Sequence, residues 1–403
     1  MPNKYSLTNN PGAIEIFNAL GADNVRFVGG CVRDHLINKP INDIDMATSL
    51  TPEEVLSKLK SCNIKAIPTG IEHGTITAVI KEENIEITTL RKDTNCDGRH
   101  AEVSFTDKWE EDAARRDFTI NALYMDNKGK IYDYFNGQDD LKSGIIRFVG
   151  NPEERCREDY LRILRFFRFY ARFATDKPDA ESLNACIKYK DKLSELSGER
   201  IQNEVIKLLY SKMAAETIDL MISSKILENI LPDLGNYNYM HKIHEIEEQW
   251  NLKIDAMLRF ALLLYFIPDL TQKDALSIIS NWKFSNRYGQ KIMDIRFAKA
   301  KFSINMPIAE QKRIIRKIGN DRTKDISIVF ASIDYPNRSF YKEIYDLANS
   351  WKAPTFPLSG KDLIAKKVSP GKQMGDLLKK AEEYWEDNDY LPTSQDLLKY
   401  LNY

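Results

Sequence analysis

Asp43 and Asp45 stand one residue apart in the run Ile41-Asn42-Asp43-Ile44-Asp45-Met46. In an extended strand, residues i and i+2 point to one face. The spacing therefore aims two carboxylates at one spot while Ile44 turns into the core. Converging hard oxygen ligands suit Mg2+, which keeps several waters and takes further ligands from substrate phosphates. Upstream, Val28-Gly29-Gly30-Cys31-Val32-Arg33-Asp34 reads as a strand, a glycine turn and a helix start. Such a turn offers backbone N–H groups and the positive end of a helix to an anion, with Arg33 one turn in. An ordinary strand-to-helix turn has the same appearance, and the full G-x-G-x-x-G spacing of a dinucleotide fold is absent. The company of Asp43 and Asp45 favours metal-dependent nucleotide chemistry. Glu86, in Ile85-Glu86-Ile87, offers a third carboxylate on a later strand, where it could join the pair or face water.

Two further clusters carry arginine. In Arg115-Arg116-Asp117-Phe118 the adjacent guanidinium groups could clamp phosphate in bidentate geometry or form a surface ion-pair cluster. The stretch from Glu158 through Asp159, Arg162 and Arg165 to Arg168 predicts one continuous helix. On a helix, residues three apart are neighbours, so Asp159 and Arg162 would present an acceptor beside a donor. Cytosine and adenine each offer a donor next to an acceptor, whereas guanine and uracil present the reverse order. Arg165 would flank Arg162, while Arg168 falls roughly opposite Asp159 and would serve phosphate or packing. An amphipathic helix with i,i+3 ion pairs fits the same spacing.

These residues need a scaffold. At 403 residues the chain exceeds one ordinary core, so two to four domains are expected. Its apolar and charged fractions, 43% and 29%, are those of a soluble globular protein. A net charge of -1 exerts no global pull on nucleic acid, so RNA contact must come from local basic patches. Cys31, Cys62, Cys96, Cys156 and Cys186 are scattered without a CxxC pair, which predicts reduced thiols in a cytoplasmic protein and no structural zinc. The chain opens on polar residues rather than a secretory pattern. Its most apolar run, 256–267, is short and interrupted by Arg259, so it reads as a buried helix and not a membrane span.

From 11 to 146, strand and helix signals alternate. Strands are expected over 25–28, 41–46, 75–80 and 85–90, with a helix over 32–37 and another starting at Thr51-Pro52. The polar stretch 92–107, containing Gly98, reads as a mobile loop. Beyond Pro152 helical patterns dominate. His241 and His244 lie one helical turn apart with no third ligand at metal spacing.

Six segments occur together and in order: RFVGGCVRD, NDIDMA, IEITTLRKD, EEDAARRDFTINALYMD, IRFVGNPEERCREDYLRILRFFRF and SGERIQNEVIKLL. In combination they resemble class II CCA-adding tRNA nucleotidyltransferases, relatives of bacterial poly(A) polymerases within the polymerase-β-like superfamily. The match is strongest over about 25–210, and SGKDLIAKKVSPGKQMGDLLKKAEEYW resembles the tail of bacterial members. The resemblance implies an α+β fold: a head with a mixed sheet and helices (1–146), then an elongated all-helical neck (147–215), body (216–350) and tail (351–403). It implies template-independent addition of the 3′-terminal CCA to tRNA from CTP and ATP, with Mg2+ and no protein partner or membrane. Carried over by position, Asp43 and Asp45 would hold the metal, with Glu86 as a third catalytic carboxylate. Gly29, Gly30, Arg33 and Arg116 would bind the triphosphate. Asp159 and Arg162 would read the base edge, assisted by Arg165 and Arg168, and 92–107 would be the loop that helps the site change from C to A. Lys361, Lys366, Lys367, Lys372, Lys379 and Lys380 are candidates for RNA backbone contact. A poly(A) polymerase would use the same residues, but 68–75 lacks the basic Gly-Arg-Arg-Phe-like strand of those enzymes. Enzymes adding only CC or only A remain alternatives, although 92–107 has full length.

Overall fold

The computed structural model describes residues 7–81, 83–97, 100–175, 177–234, 239–298 and 302–403, with side chains of 93–103 left aside. The chain divides into two compact units, Met1–Pro232 and Asp233–Tyr403.

In the first unit, α1 (Pro11–Leu20) leads to β1 (Val25–Val28), α2 (Gly30–Leu36), β2 (Ile44–Thr48), α3 (Pro52–Ser61), β3 (Lys65–Gly70), β4 (Thr75–Ile80) and β5 (Glu83–Thr89). There follow β6 (Arg91–Asp97), β7 (His100–Phe105), α4 (Trp109–Ala114), β8 (Leu123–Met125), β9 (Ile131–Asp133) and α5 (Gly137–Ser143). Five helices complete the unit: α6 (Pro152–Glu158), α7 (Leu161–Phe173), α8 (Ala180–Lys188), α9 (Gly198–Leu209) and α10 (Ala214–Ser223). Seven strands form a mixed sheet in the order β3-β4-β5-β2-β1-β8-β9. Its central pair, β2 and β5, is parallel, and the neighbouring pairs are antiparallel.

Alternation along β2 and β5 decides what each face carries. Ile44, Met46, Ile85 and Ile87 enter one core with Phe17, Phe27 and Leu59. Ala47 lies on the other face with Val28, Leu90, Ala113 and Tyr124, beneath α4. The start of α3 is fixed by a capping box between Thr51 and Glu54, with Pro52 in the first turn.

Three expectations need correction. First, β2 begins at Ile44, so Asp43 lies one residue ahead of the strand. Second, the stretch expected as a loop holds β6 and β7, paired antiparallel from Arg91↔Phe105 to Asp97↔His100. Its polar composition hid a hairpin, although Asp97-Gly98 is a hairpin signal. Third, the helix expected through 158–168 is two helices. Asp159 is extended (φ -156°, ψ 107°), and its Oδ1 accepts the Leu161 N–H at 3.1 Å. Asp competes for backbone N–H groups in this way and favours helix starts over interiors. The stripe Ile163, Leu164, Phe166, Phe167 and Tyr170 then buries α7. Phe148 stacks on Phe166, and Phe118 meets Phe169 edge-on and Phe166 at a tilt, which anchors α7 to the sheet-bearing part.

The second unit is helical: α11 (Tyr239–Gln249), α12 (Ala256–Tyr265), α13 (Gln272–Asn281), α14 (Asn286–Arg296), α15 (Ile308–Ile318), α16 (Asn320–Ile333), α17 (Arg338–Ser350), α18 (Gly360–Ala365), α19 (Lys372–Asp387) and α20 (Ser394–Tyr400). As expected, α12 is buried, and Arg259 within it pairs with the buried Glu247 of α11 at 3.2 Å. His244 Nδ1 lies 3.3 Å from the same guanidinium, which explains that histidine without a metal. Leu358, Leu363, Ala381, Trp385 and Leu397 form a separate small core near the C-terminus. Among the described residues no helix is long and apolar enough to cross a membrane.

Candidate active site

Register brings the carboxylates together. In the parallel β2–β5 pair, Asp45 stands opposite Glu86, so both side chains leave the sheet on one face from adjacent strands. Glu86 is thus the direct cross-strand neighbour of Asp45 and is open to water as well. Asp43 and Glu86 are exposed, while Asp45 is half-buried. Burial, and then the Glu86 charge, push the Asp45 carboxyl up to about 6, against the pull of Arg116. Among the described residues, none of the three carboxylates forms an ion pair or a side-chain hydrogen bond. Unpaired negative charge of this kind fits a divalent cation. No set of three His, Cys, Asp or Glu side chains among the described residues is grouped closely enough to hold one ion. Two neighbouring carboxylates would suit a hard cation that takes its other ligands from water and phosphate, as Mg2+ does.

The glycine turn sits beside them. Gly29 caps α2 with φ 71°, a conformation that suits glycine, and a Cβ there would stand 3.3 Å from Nη1 of Arg116. A Cβ on Gly30 would lie 3.6 Å from Nη2 of Arg33. Both predicted phosphate-binding arginines thus reach the turn. Arg33 is buried, its Nε 2.9 Å from Asp34 and its Nη1 on the Asn121 amide oxygen. Burial draws its pKa down even with Asp34 opposing. Arg116 is held by Asp112 and Tyr124, each at 3.1 Å.

The remaining candidates are all paired, and the pairs differ from those that spacing suggested. Asp159 is bound by Arg200 of α9 at 2.7 Å, not by Arg162. Arg162 pairs with Glu158 and donates to the Arg115 carbonyl at 3.3 Å. Arg165 donates to Asp117 from Nε at 2.8 Å, and Asp117 in turn accepts from Asn121 at 3.0 Å. Arg168 lies 2.8 Å from Glu204 and 4.3 Å from the centre of the Phe169 ring, and burial lowers its pKa to about 10. Asp117 and Asn121 therefore link Arg165 on α7 to Arg33 on α2. Neither was picked out from the sequence as a site residue, and both lie in the RRDFTIN run that signalled Arg116. Asp112, Glu158 and Arg200 were missed as well. All three lie within the segments EEDAARRDFTINALYMD, IRFVGNPEERCREDYLRILRFFRF and SGERIQNEVIKLL, but nothing local separates them from solvated charges.

A family model described as "Poly A polymerase head domain" matches residues 25–147, and one described as "Probable RNA and SrmB- binding site of polymerase A" matches 177–237. The mitochondrial CCA tRNA nucleotidyltransferase 1 of Mus musculus is 37% identical over 94% of this chain and 86% of its own length. The CCA-adding enzyme of Ligilactobacillus salivarius is 34% identical, covering 89% of this chain and 87% of its own. The crystal structure of the Bacillus stearothermophilus CCA-adding enzyme in complex with CTP superposes with a TM-score of 0.71 at 27% identity, covering 94% of each chain.

Proposed function

Because the chain belongs to the CCA-adding tRNA nucleotidyltransferases, we propose that Asp43 and Asp45 are its metal ligands and that its arginines sort and hold the incoming nucleotide. The enzyme adds the 3′-terminal CCA to tRNA from CTP and ATP without a nucleic-acid template, and releases pyrophosphate. The observation that carries this reading is the 37% identity to a CCA tRNA nucleotidyltransferase along 94% of the chain.

In each addition the 3′-hydroxyl oxygen of tRNA gives up its proton to water and bonds to the α-phosphorus, and the α–β bridging bond breaks, its electron pair leaving with pyrophosphate. Mg2+ bound at Asp43 and Asp45, as a two-ion site, would acidify the hydroxyl and neutralise charge on the leaving group. Glu86 adds negative charge beside Asp45 and so strengthens the cation site. The Gly29-Gly30 turn, Arg33 and Arg116 bind the triphosphate in a fixed orientation, which is the protein's larger share of the work.

Asp159 uses two acceptor sites, for Leu161 N–H and Arg200, which leaves carboxylate lone pairs for a base amino group. Arg162 has five N–H donors and spends three, so it retains donors for the neighbouring ring nitrogen. Acceptor beside donor admits C and A and rejects G and U. Here the two residues are aimed by Arg200 and Glu158 rather than by helical spacing. Arg165 and Arg168 support that edge.

The division into head (1–146), neck, body and tail (351–403) is likewise our assignment, supported by the separate core of 358–401. We extend the neck to Pro232, because α10 packs on α7 within the first compact unit. A cytoplasmic setting is proposed from the unpaired thiols of Cys31, Cys62, Cys156 and Cys186; cell fractionation tests it.

The deciding assay offers the purified protein a tRNA lacking its 3′ end with CTP, ATP or both, and sizes the products. Addition of two residues with CTP and three with both nucleotides is expected. A long adenosine tail, or a stop after CC when ATP is present, overturns full CCA addition.

A further inference from the structure

We infer that Asp112, acting with Tyr124, is the positioning residue that aims Arg116 at the Gly29-Gly30 turn. The inference rests on the reading of Arg116 as a triphosphate ligand and adds the device that makes it one.

Arg116 Nε donates to the Tyr124 hydroxyl at 3.1 Å and Nη2 to Asp112 Oδ2 at 3.1 Å, while the Tyr124 hydroxyl donates to that same oxygen at 2.6 Å. Three groups thus close a ring of hydrogen bonds that fixes the guanidinium plane. Nη1 alone is left over, and it is the atom 3.3 Å from where a Gly29 Cβ would stand. The other oxygen of Asp112 is also committed, to Arg115 at 2.9 Å and 2.6 Å and to the Arg91 N–H at 3.3 Å. Asp112 is 1% exposed. With both oxygens saturated and buried, it cannot itself touch substrate or metal. Burial alone would raise its pKa, yet Arg116 and Arg115 overcome this and hold it at about 2, so it stays ionised at any working pH.

A guanidinium deprived of Asp112 loses the partner that holds its plane and leaves the turn without its donor.

The test is a double-mutant cycle of Arg116→Ala and Asp112→Asn, read as KM for CTP and ATP, KM for tRNA and kcat. Each single variant is expected to raise the nucleotide KM about tenfold, with the tRNA KM unchanged, and the double variant to be no worse than Arg116→Ala alone. Tyr124→Phe, which keeps the ring, should raise the nucleotide KM less and be equally silent in the Arg116→Ala background. Additive losses, or equal rises in the tRNA and nucleotide KM, overturn the inference. Should Asp112→Asn not fold, the Tyr124→Phe arm decides alone by the same criterion. An unchanged nucleotide KM in Arg116→Ala would instead remove the reading of Arg116 as a ligand.

Discussion

Asp45 shows how a single side chain trades stability for function. Its carboxyl titrates at about 6 in the fold against about 4 in an unfolded chain. A raised carboxylate pKa favours the protonated fold, so its contribution to stability is fully present below pH 4 and is lost as pH rises through 6. Two pKa units correspond to roughly 3 kcal/mol before solvent screening is allowed for. A bound cation reverses the sign by giving the ionised form a partner. Asp45→Asn should therefore stabilise the metal-free protein by about 1–2 kcal/mol at pH 7.5, abolish nucleotide addition, and cancel the rise in melting temperature that Mg2+ gives the native chain. For the native protein, apparent Mg2+ affinity measured by calorimetry should climb as pH rises through 6 and then level off. A flat profile between pH 5 and 7, or a destabilised Asp45→Asn, would contradict this account.

At the scale of elements, what could be read in advance was whatever has a short period. Ile44 and Met46, or Ile85 and Ile87, alternate around a carboxylate and so announce a strand with one acidic face. The meeting of Asp45 with Glu86 depends on the register of two strands forty residues apart, which no local pattern encodes. Likewise the apolar stripe of α7 masked the break at Asp159, whose partner Arg200 arrives from another helix. The β6–β7 ribbon was hidden because its sequence is polar and lacks the apolar alternation that marks a strand. At its root, a Cβ on Gly74 (φ +77°) would come within 2.7 Å of the Phe105 ring, and Arg91 Nη1 bonds the His73 carbonyl at 2.6 Å. Gly74 thus supplies both a left-handed turn and the space that seats the ribbon. Gly74→Ala should cost about 1–2 kcal/mol in thermal or urea unfolding. It should also speed amide exchange in β6 and β7 while β2 and β5 keep their protection. Uniform exchange across all four strands would mean that the ribbon is not seated there.

At the scale of the whole molecule, a set of ion pairs joins α15 of the second unit to the C-terminal core. Arg316 reaches Glu386 of α19 at 2.7 Å and also Glu382, and its guanidinium lies 5.2 Å from the centre of the buried Trp385 ring. Arg313 pairs with Glu386 at 3.4 Å and with Asp387, and Lys312 with Asp389. Single exposed pairs contribute little, but several charges on and just after α19, together with a ring, act as a network that salt weakens. Meanwhile Lys361, Lys366, Lys367, Lys372, Lys379 and Lys380 are exposed on or beside α18 and α19. If these lysines meet the phosphates of tRNA, their placement depends on the α15–α19 network. Arg316→Ala should then loosen residues 358–401 in hydrogen exchange and cost about 1 kcal/mol of stability. It should raise the KM for full-length tRNA severalfold, while CTP addition to a short acceptor-stem hairpin proceeds unchanged. Neutralising Lys366 and Lys367 together should flatten the salt dependence of tRNA binding by about 1–2 in log–log slope. A tRNA affinity indifferent to both changes would place RNA contact elsewhere than the C-terminal core.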